Sequence, residues 1–214
     1  TYIFPSPFTR DYYVKNLQLS PSKPVVLPYF VPLNKKRRDN RKKDYFLFAG
    51  RLSEEKGVLQ LLEVFKALPY KLVVIGDGPL KKQVLKYKNY ENIEIKHFLP
   101  QNKIFFYMQN AICTIIPSLW YVVLPMVMLE SFANGTPVIV PEFGTFKNTV
   151  IKGKTGFFYE QNNWEDLRVT ILKVYEKREK LSGIRENCRK EHEEKYTQEK
   201  HYKALLQVYK SLLK

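Results

Sequence analysis

Arg51, Lys56 and Glu130 stand where the surrounding pattern could put them to chemical use. Arg51 and Lys56 lie in Gly50-Arg-Leu-Ser-Glu-Glu-Lys-Gly57, between the apolar run 45–49 and an amphipathic run at 58–68. A guanidinium grips phosphate oxygens as a fork, and an ammonium adds a compact charge. The glycine before them lets backbone come close to a ligand. The same spacing is also met by a plain helix start, capped by Ser53 with Lys56 in solvent. Glu130 falls within the stretch from Pro117 to Val138, one turn into a predicted helix that begins after Pro125. There a carboxylate can accept hydrogen bonds from ligand hydroxyls, while the backbone N–H groups of Met126 and Val127 face an anion.

The elements that must hold these residues follow from the apolar pattern. Residues 112–116 read as a buried parallel strand, and a polar and aromatic loop carries the chain to Pro125. From Met126 the spacing predicts a helix with Val127, Met128, Phe132 and Ala133 inward, ended by Asn134-Gly135. Residues 136–140 start the next strand, giving a right-handed crossover unit whose loop lies at the carboxyl end of the sheet, where ligands of such folds bind. Residues 45–49, 71–75 and 93–97 read as further strands, with a Gly76-Asp-Gly78 turn after the second. Helices are expected over 10–16, 101–109, 163–180, 184–194 and 198–213. The whole is an α/β chain with a doubly wound, Rossmann-like parallel sheet.

The chain carries 36 Lys and Arg against 21 Asp and Glu, a formal charge of +15. Such a surface attracts nucleotides, acidic lipid headgroups or nucleic acid, or is simply solvated. Residues 34–44 form a basic block expected to be solvated or to touch an anionic membrane. Nucleic acid rests on charge alone, since neither zinc-finger spacing nor an RNA-binding aromatic signature accompanies it. No apolar run reaches the roughly 18 residues of a membrane span. Cys113 falls in a predicted buried strand far in sequence from Cys188, so a disulfide is not expected and a reducing, cytoplasmic location, peripheral at a membrane if the basic block binds one, is the expectation.

Together the strings at 50–57, 76–78, 117–138 and 152–157 resemble the donor-binding signature of family-4 retaining glycosyltransferases of the GT-B class. The resemblance implies the C-terminal half of a GT-B fold: residues 1–33 ending an N-terminal domain, 34–44 a basic linker, 45–195 the donor domain and 196–214 a crossover helix. That helix docks on an N-terminal acceptor domain through Leu205, Leu206, Val208, Tyr209 and Leu212, or else covers its own core. The resemblance further implies that Arg51 and Lys56 hold the diphosphate of a UDP- or GDP-hexose and that Glu130 takes the ribose hydroxyls. Gly50, Gly78, Leu124, Pro125, Met126 and Val127 then approach the nucleotide or sugar, with neither metal nor cofactor. The chain departs from the family pattern at His97, at Val122 and across 142–150, where Gly144-Thr145 and Asn148 stand in place of the usual Gly-Gly and Glu. His97 stands where glycine is usual. Val122 stands where the first Glu of a Glu-x7-Glu motif holds the donor hexose. A lost charge-assisted hydrogen bond costs roughly 1.5–3 kcal/mol, about one to two decades in rate if it acts in the transition state. An active transferase and a non-catalytic binding module therefore both remain open.

Overall fold

The computed structural model describes residues 1–17, 24–32 and 44–213, so the basic block at 34–44 lies outside the described residues except for Asp44. The chain opens with β1 (Tyr2–Phe4), α1 (Pro7–Asn16) and β2 (Pro24–Val26), and β1 and β2 pair in parallel as a small sheet of their own. The first helix starts earlier than the pattern predicts. The Ser6 hydroxyl accepts the Thr9 N–H at 3.2 Å, and Pro7 occupies the first turn, where its missing N–H costs nothing.

The main body runs β3 (Tyr45–Ala49), α2 (Val58–Lys66), β4 (Lys71–Ile75), α3 (Lys81–Val84), β5 (Ile93–Lys96), α4 (Gln101–Asn110), β6 (Thr114–Ile115), α5 (Met126–Ala133), β7 (Val138–Pro141), α6 (Gly144–Thr149), β8 (Gly156–Tyr159) and α7 (Trp164–Glu176). Two further helices close the chain, α8 (Ser182–Lys195) and α9 (Gln198–Leu212). The sheet is six-stranded, parallel throughout, in the order β5-β4-β3-β6-β7-β8. Chain order reverses between β3 and β6, which is where open α/β sheets leave a crevice.

Every residue of β3 is buried, and its alternation splits the core between two layers. Phe46 and Phe48 join the cluster under α2 and α7, whereas Tyr45, Leu47 and Ala49 join the one that includes Met108 of α4. A third cluster gathers Met128, Leu129, Phe132 and Ala133 of α5 with Cys188 of α8. Leu129 thus belongs to the inner face of α5, while Val127 stays half-buried. Regular pairing in β6 is shorter than the apolar run 112–116, although Ile112 and Cys113 already make backbone bonds to β3 before the strand opens. Helix α7 ends at Glu176, and a short 3-10 turn follows at Arg178–Lys180.

Segment 28–31 is pinned to the last helices. Val31 donates its N–H to the Tyr196 carbonyl and accepts from His192 Nε2 at 2.8 Å, and His201 Nδ1 lies 2.7 Å from the Pro28 carbonyl. On α9 only Val208 is buried; Leu206, Tyr209 and Leu212 are exposed, so little of this helix covers its own core.

Arg185 ties the layers together. Its buried guanidinium donates to the carbonyls of Gly135 (3.2 Å), Ile112 (3.2 Å) and Ala111, where α4 and α5 run out. Charge-assisted bonds to carbonyls at helix ends are stronger than neutral ones, and removing the donor leaves those acceptors buried and unsatisfied. Arg185→Leu should therefore lower the free energy of unfolding by about 3 kcal/mol in urea denaturation. A loss below about 0.5 kcal/mol, the size of an ordinary surface substitution, would show that the contact is dispensable.

Candidate functional site

A cleft of about 400 Å³ opens at the carboxyl ends of β3 and β6. Phe48, Ala49 and Gly50 form one side, Ile115, Ile116 and Ser118 the floor, and residues 122–127 the far wall. Lys56 supplies the charged side chain of the lining.

The loops around it are locked to one another by backbone. The chain passes Gly50 and Arg51, makes a 3-10 turn at Glu54–Lys56 and enters α2 through Gly57, whose φ of +67° suits glycine. A Cβ at Gly57 would stand 2.0 Å from the Pro117 carbonyl oxygen, so only glycine lets the two loops meet. Leu119 N–H donates to the Glu55 carbonyl at 3.0 Å beside that contact. Gly78, after the neighbouring strand β4, acts in a similar way: φ is +153°, and a Cβ there would lie 2.6 Å from the Leu52 carbonyl oxygen. Gly78 is thus packed against the loop that carries Arg51 and does not belong to the cleft lining.

The far wall is held from behind. Thr145 Oγ1 donates toward the carbonyls of Val122 and Val123, 2.8 Å from each, and Ser6 Oγ reaches the Val123 carbonyl at 2.9 Å. Phe8 and Tyr121 add an aromatic contact with ring centres 5.0 Å apart. Pro125 then takes the N-cap position of α5, one place before the first turn, and accepts the Met128 N–H at 3.1 Å. The N–H groups of Met126 and Val127 have no intrahelical acceptor, as in any first helical turn, and both residues line the cleft.

Of the residues singled out from sequence, Gly50, Lys56, Val122, Leu124, Pro125, Met126 and Val127 line this one cleft, whereas Arg51, Gly78 and Glu130 do not. Arg51 is exposed on the adjoining turn. Among the described residues no hydrogen bond or ion pair engages the side chain of Arg51 or Lys56. The Ser53 hydroxyl donates to the Glu55 carboxylate instead of capping the turn, and that bond is the main reason the Glu55 carboxyl lies below its ordinary range. Glu130 lies one turn into α5, accepts from Gln101 Nε2 at 3.3 Å, and has its carboxyl pushed above the ordinary range by burial. Ser118 was not singled out from sequence. Its hydroxyl is buried in the lining with no partner among the described residues, and the one signal for it was its place just past the end of β6.

The model of the family described as glycosyl transferases group 1 matches residues 32–191. The chain belongs to that family. An uncharacterized glycosyltransferase of Methanocaldococcus jannaschii is 29% identical over 172 residues, covering 79% of this chain and 48% of that protein. A second from the same organism is 34% identical over 117 residues, 50% of this chain and 28% of its own length. The chain spans about half or less of the curated relatives it matches. Among solved structures, a glycosyltransferase from Rickettsia africae superposes with a TM-score of 0.85 at 20% identity, over 99% of this chain and 63% of the other. Anabaena HepE in complex with UDP gives 0.83 at 16% identity, over 98% and 62%. These neighbours establish the GT-B type of α/β fold for the group 1 chain. No helix among the described residues is long and apolar enough to cross a membrane.

Burial and the Gln101 amide act on Glu130 in opposite directions, which a carboxyl titration can separate. Carboxyl NMR should place the Glu130 midpoint above the ordinary 4.5, and Gln101→Leu should raise it further. The folded state then holds the proton more tightly than the unfolded chain. Glu130 accordingly subtracts stability above its raised pKa, and that deficit vanishes as pH falls below the unfolded value. A midpoint at or below 4.5 contradicts the placement of this carboxyl.

Proposed function

We propose that this chain supplies the donor-binding half of a hexosyltransferase that uses a nucleotide sugar, UDP- or GDP-linked, and acts with retention as a family-4 member. What carries the reading is the cleft at the strand switch point, where Lys56 and the start of α5 meet with no anionic side chain in the lining. Arg51 and Lys56 take the diphosphate, joined by the first-turn N–H groups of Met126 and Val127. Glu130 takes the ribose hydroxyls, with its carboxyl ionised on binding. Gly50 allows the nucleotide close to the end of β3. As the bond from sugar to phosphate breaks, negative charge grows on the leaving diphosphate. Fixed positive groups stabilise that charge at little reorganisation cost, which is work a metal ion does in other transferases.

In this reading, residues 45–195 are the donor domain and 196–214 a helix that returns toward an acceptor-binding N-terminal domain. The exposed apolar residues of α9 and the partial coverage of the relatives support that arrangement. A second reading, a partner subunit that binds nucleotide sugar without turning it over, is favoured by Val122, whose side chain cannot accept a sugar hydroxyl.

A thermal-shift panel of UDP, GDP, ADP and their hexose conjugates tests the site. A ligand that binds only the folded state raises the melting temperature by mass action, by about 2.7 kcal/mol in stability at a hundred times its Kd. One nucleotide series should shift the protein, and Arg51→Ala should abolish the shift while leaving the unliganded melting temperature in place. A panel with no shift, or shifts that survive Arg51→Ala, sinks the donor-cleft assignment.

A further inference from the structure

Among the described residues four buried side-chain atoms lack a hydrogen-bond partner, and of these only the Ser118 hydroxyl belongs to the cleft lining. Ser118 is 2% exposed, so its hydroxyl has left water without gaining a bond in exchange. Buried polar groups are paired in the large majority of cases, and an orphan in the wall of a cleft is completed by what enters the cleft. Its neighbours say what that is. Pro117 meets Gly57, and Leu119 donates its N–H to the Glu55 carbonyl at 3.0 Å. The residues on either side of Ser118 are thus held against the residues on either side of Lys56. These two contacts bring Ser118 alongside Lys56, and both line the same cleft. Among the described residues no carboxylate belongs to that lining, so an anion drawn in by the ammonium meets no like charge there.

We infer that the Ser118 hydroxyl donates a hydrogen bond to the same phosphate group that Lys56 holds. The inference rests on the donor-cleft reading above and adds a binding residue to it. A serine hydroxyl has one hydrogen to donate, and a charged phosphate oxygen is among the strongest acceptors for it. The two residues act differently. Lys56 brings a charge on a long flexible stem, whereas Ser118 brings a donor whose direction is set by a single side-chain torsion. The unpaired hydroxyl weighs on the empty protein and is relieved in the liganded one. Ser118 therefore lowers the stability of the empty cleft and raises its affinity for the anion.

The test is calorimetric binding of UDP, GDP and ADP to the wild type, Ser118→Ala, Ser118→Cys, Lys56→Ala and the Ser118→Ala, Lys56→Ala double variant. For the diphosphate that binds, Ser118→Ala should lose about tenfold in affinity, the scale of a hydrogen bond to a charged group. Its unliganded melting temperature should equal or exceed that of the wild type, because alanine removes an unsatisfied hydroxyl. A purely structural serine would give the opposite pattern, a lower melting temperature with affinity intact. Ser118→Cys fills nearly the same space with a weak donor and should bind as weakly as Ser118→Ala, which separates the lost bond from lost volume. The double variant should lose clearly less than the product of the two single losses, since one phosphate group carries both contacts. The inference is overturned if Ser118→Ala or Ser118→Cys binds within about twofold of the wild type, or if the two single losses simply multiply. In either case diphosphate binding that still depends on Arg51 leaves the donor-cleft reading standing. Failure of all three diphosphates to bind removes both.

Discussion

The contact of Gly57 with the Pro117 carbonyl is the constraint on which the site depends. It joins the loop leaving β3 to the loop leaving β6 across the point where strand order reverses. A side chain at Gly57 would push the two apart, and with them Lys56 and the wall at 122–127. Gly78 braces the first loop from the other flank, while Ser6 and Thr145 brace the second from behind. The cleft is therefore shaped by backbone packed on backbone at Gly57 and Gly78 and by two hydroxyls behind the far wall.

Electrostatics give the cleft its sign. Some basic residues on the surface are matched to acidic neighbours along helices, as in Lys66 with Glu63, Arg168 with Glu165 and Lys203 with Glu199. Such exposed pairs contribute little to stability, about 0–1 kcal/mol each, but they do neutralise local charge. No ion pair among the described residues holds Arg51 or Lys56, although both act on Glu55 through space and help keep its carboxyl below the ordinary range. Two cations without an ion pair among the described residues, beside unbonded helix N–H groups, make a region that attracts anions.

Most of the scaffold was legible from sequence because its signals are local. The buried run at Tyr45–Ala49 and the Pro125 start of α5 each act within a few residues. What was not legible depends on distant partners. Nothing near Arg185 announces that it will bond three carbonyls 50 to 74 residues away in the chain. Val127 fits the helix period for the core, yet it is left half-buried at the cleft because the loop before α5 is drawn off by Thr145 and Ser6. Likewise, the orphaned hydroxyl of Ser118 is visible only once the turns ending at Gly57 and Pro117 have met.

The most direct measurement is an amide NMR titration of the nucleoside diphosphate that binds. Shifts concentrated on the N–H groups of Gly50, Lys56, Met126 and Val127 are the result this account predicts, since all four residues line the cleft and the N–H groups of Met126 and Val127 face the phosphates. Shifts that leave those amides unmoved and gather instead on the lysine-bearing groove between β8 and α7, around Lys173 and Lys177, would contradict it by placing the anion site elsewhere on the fold.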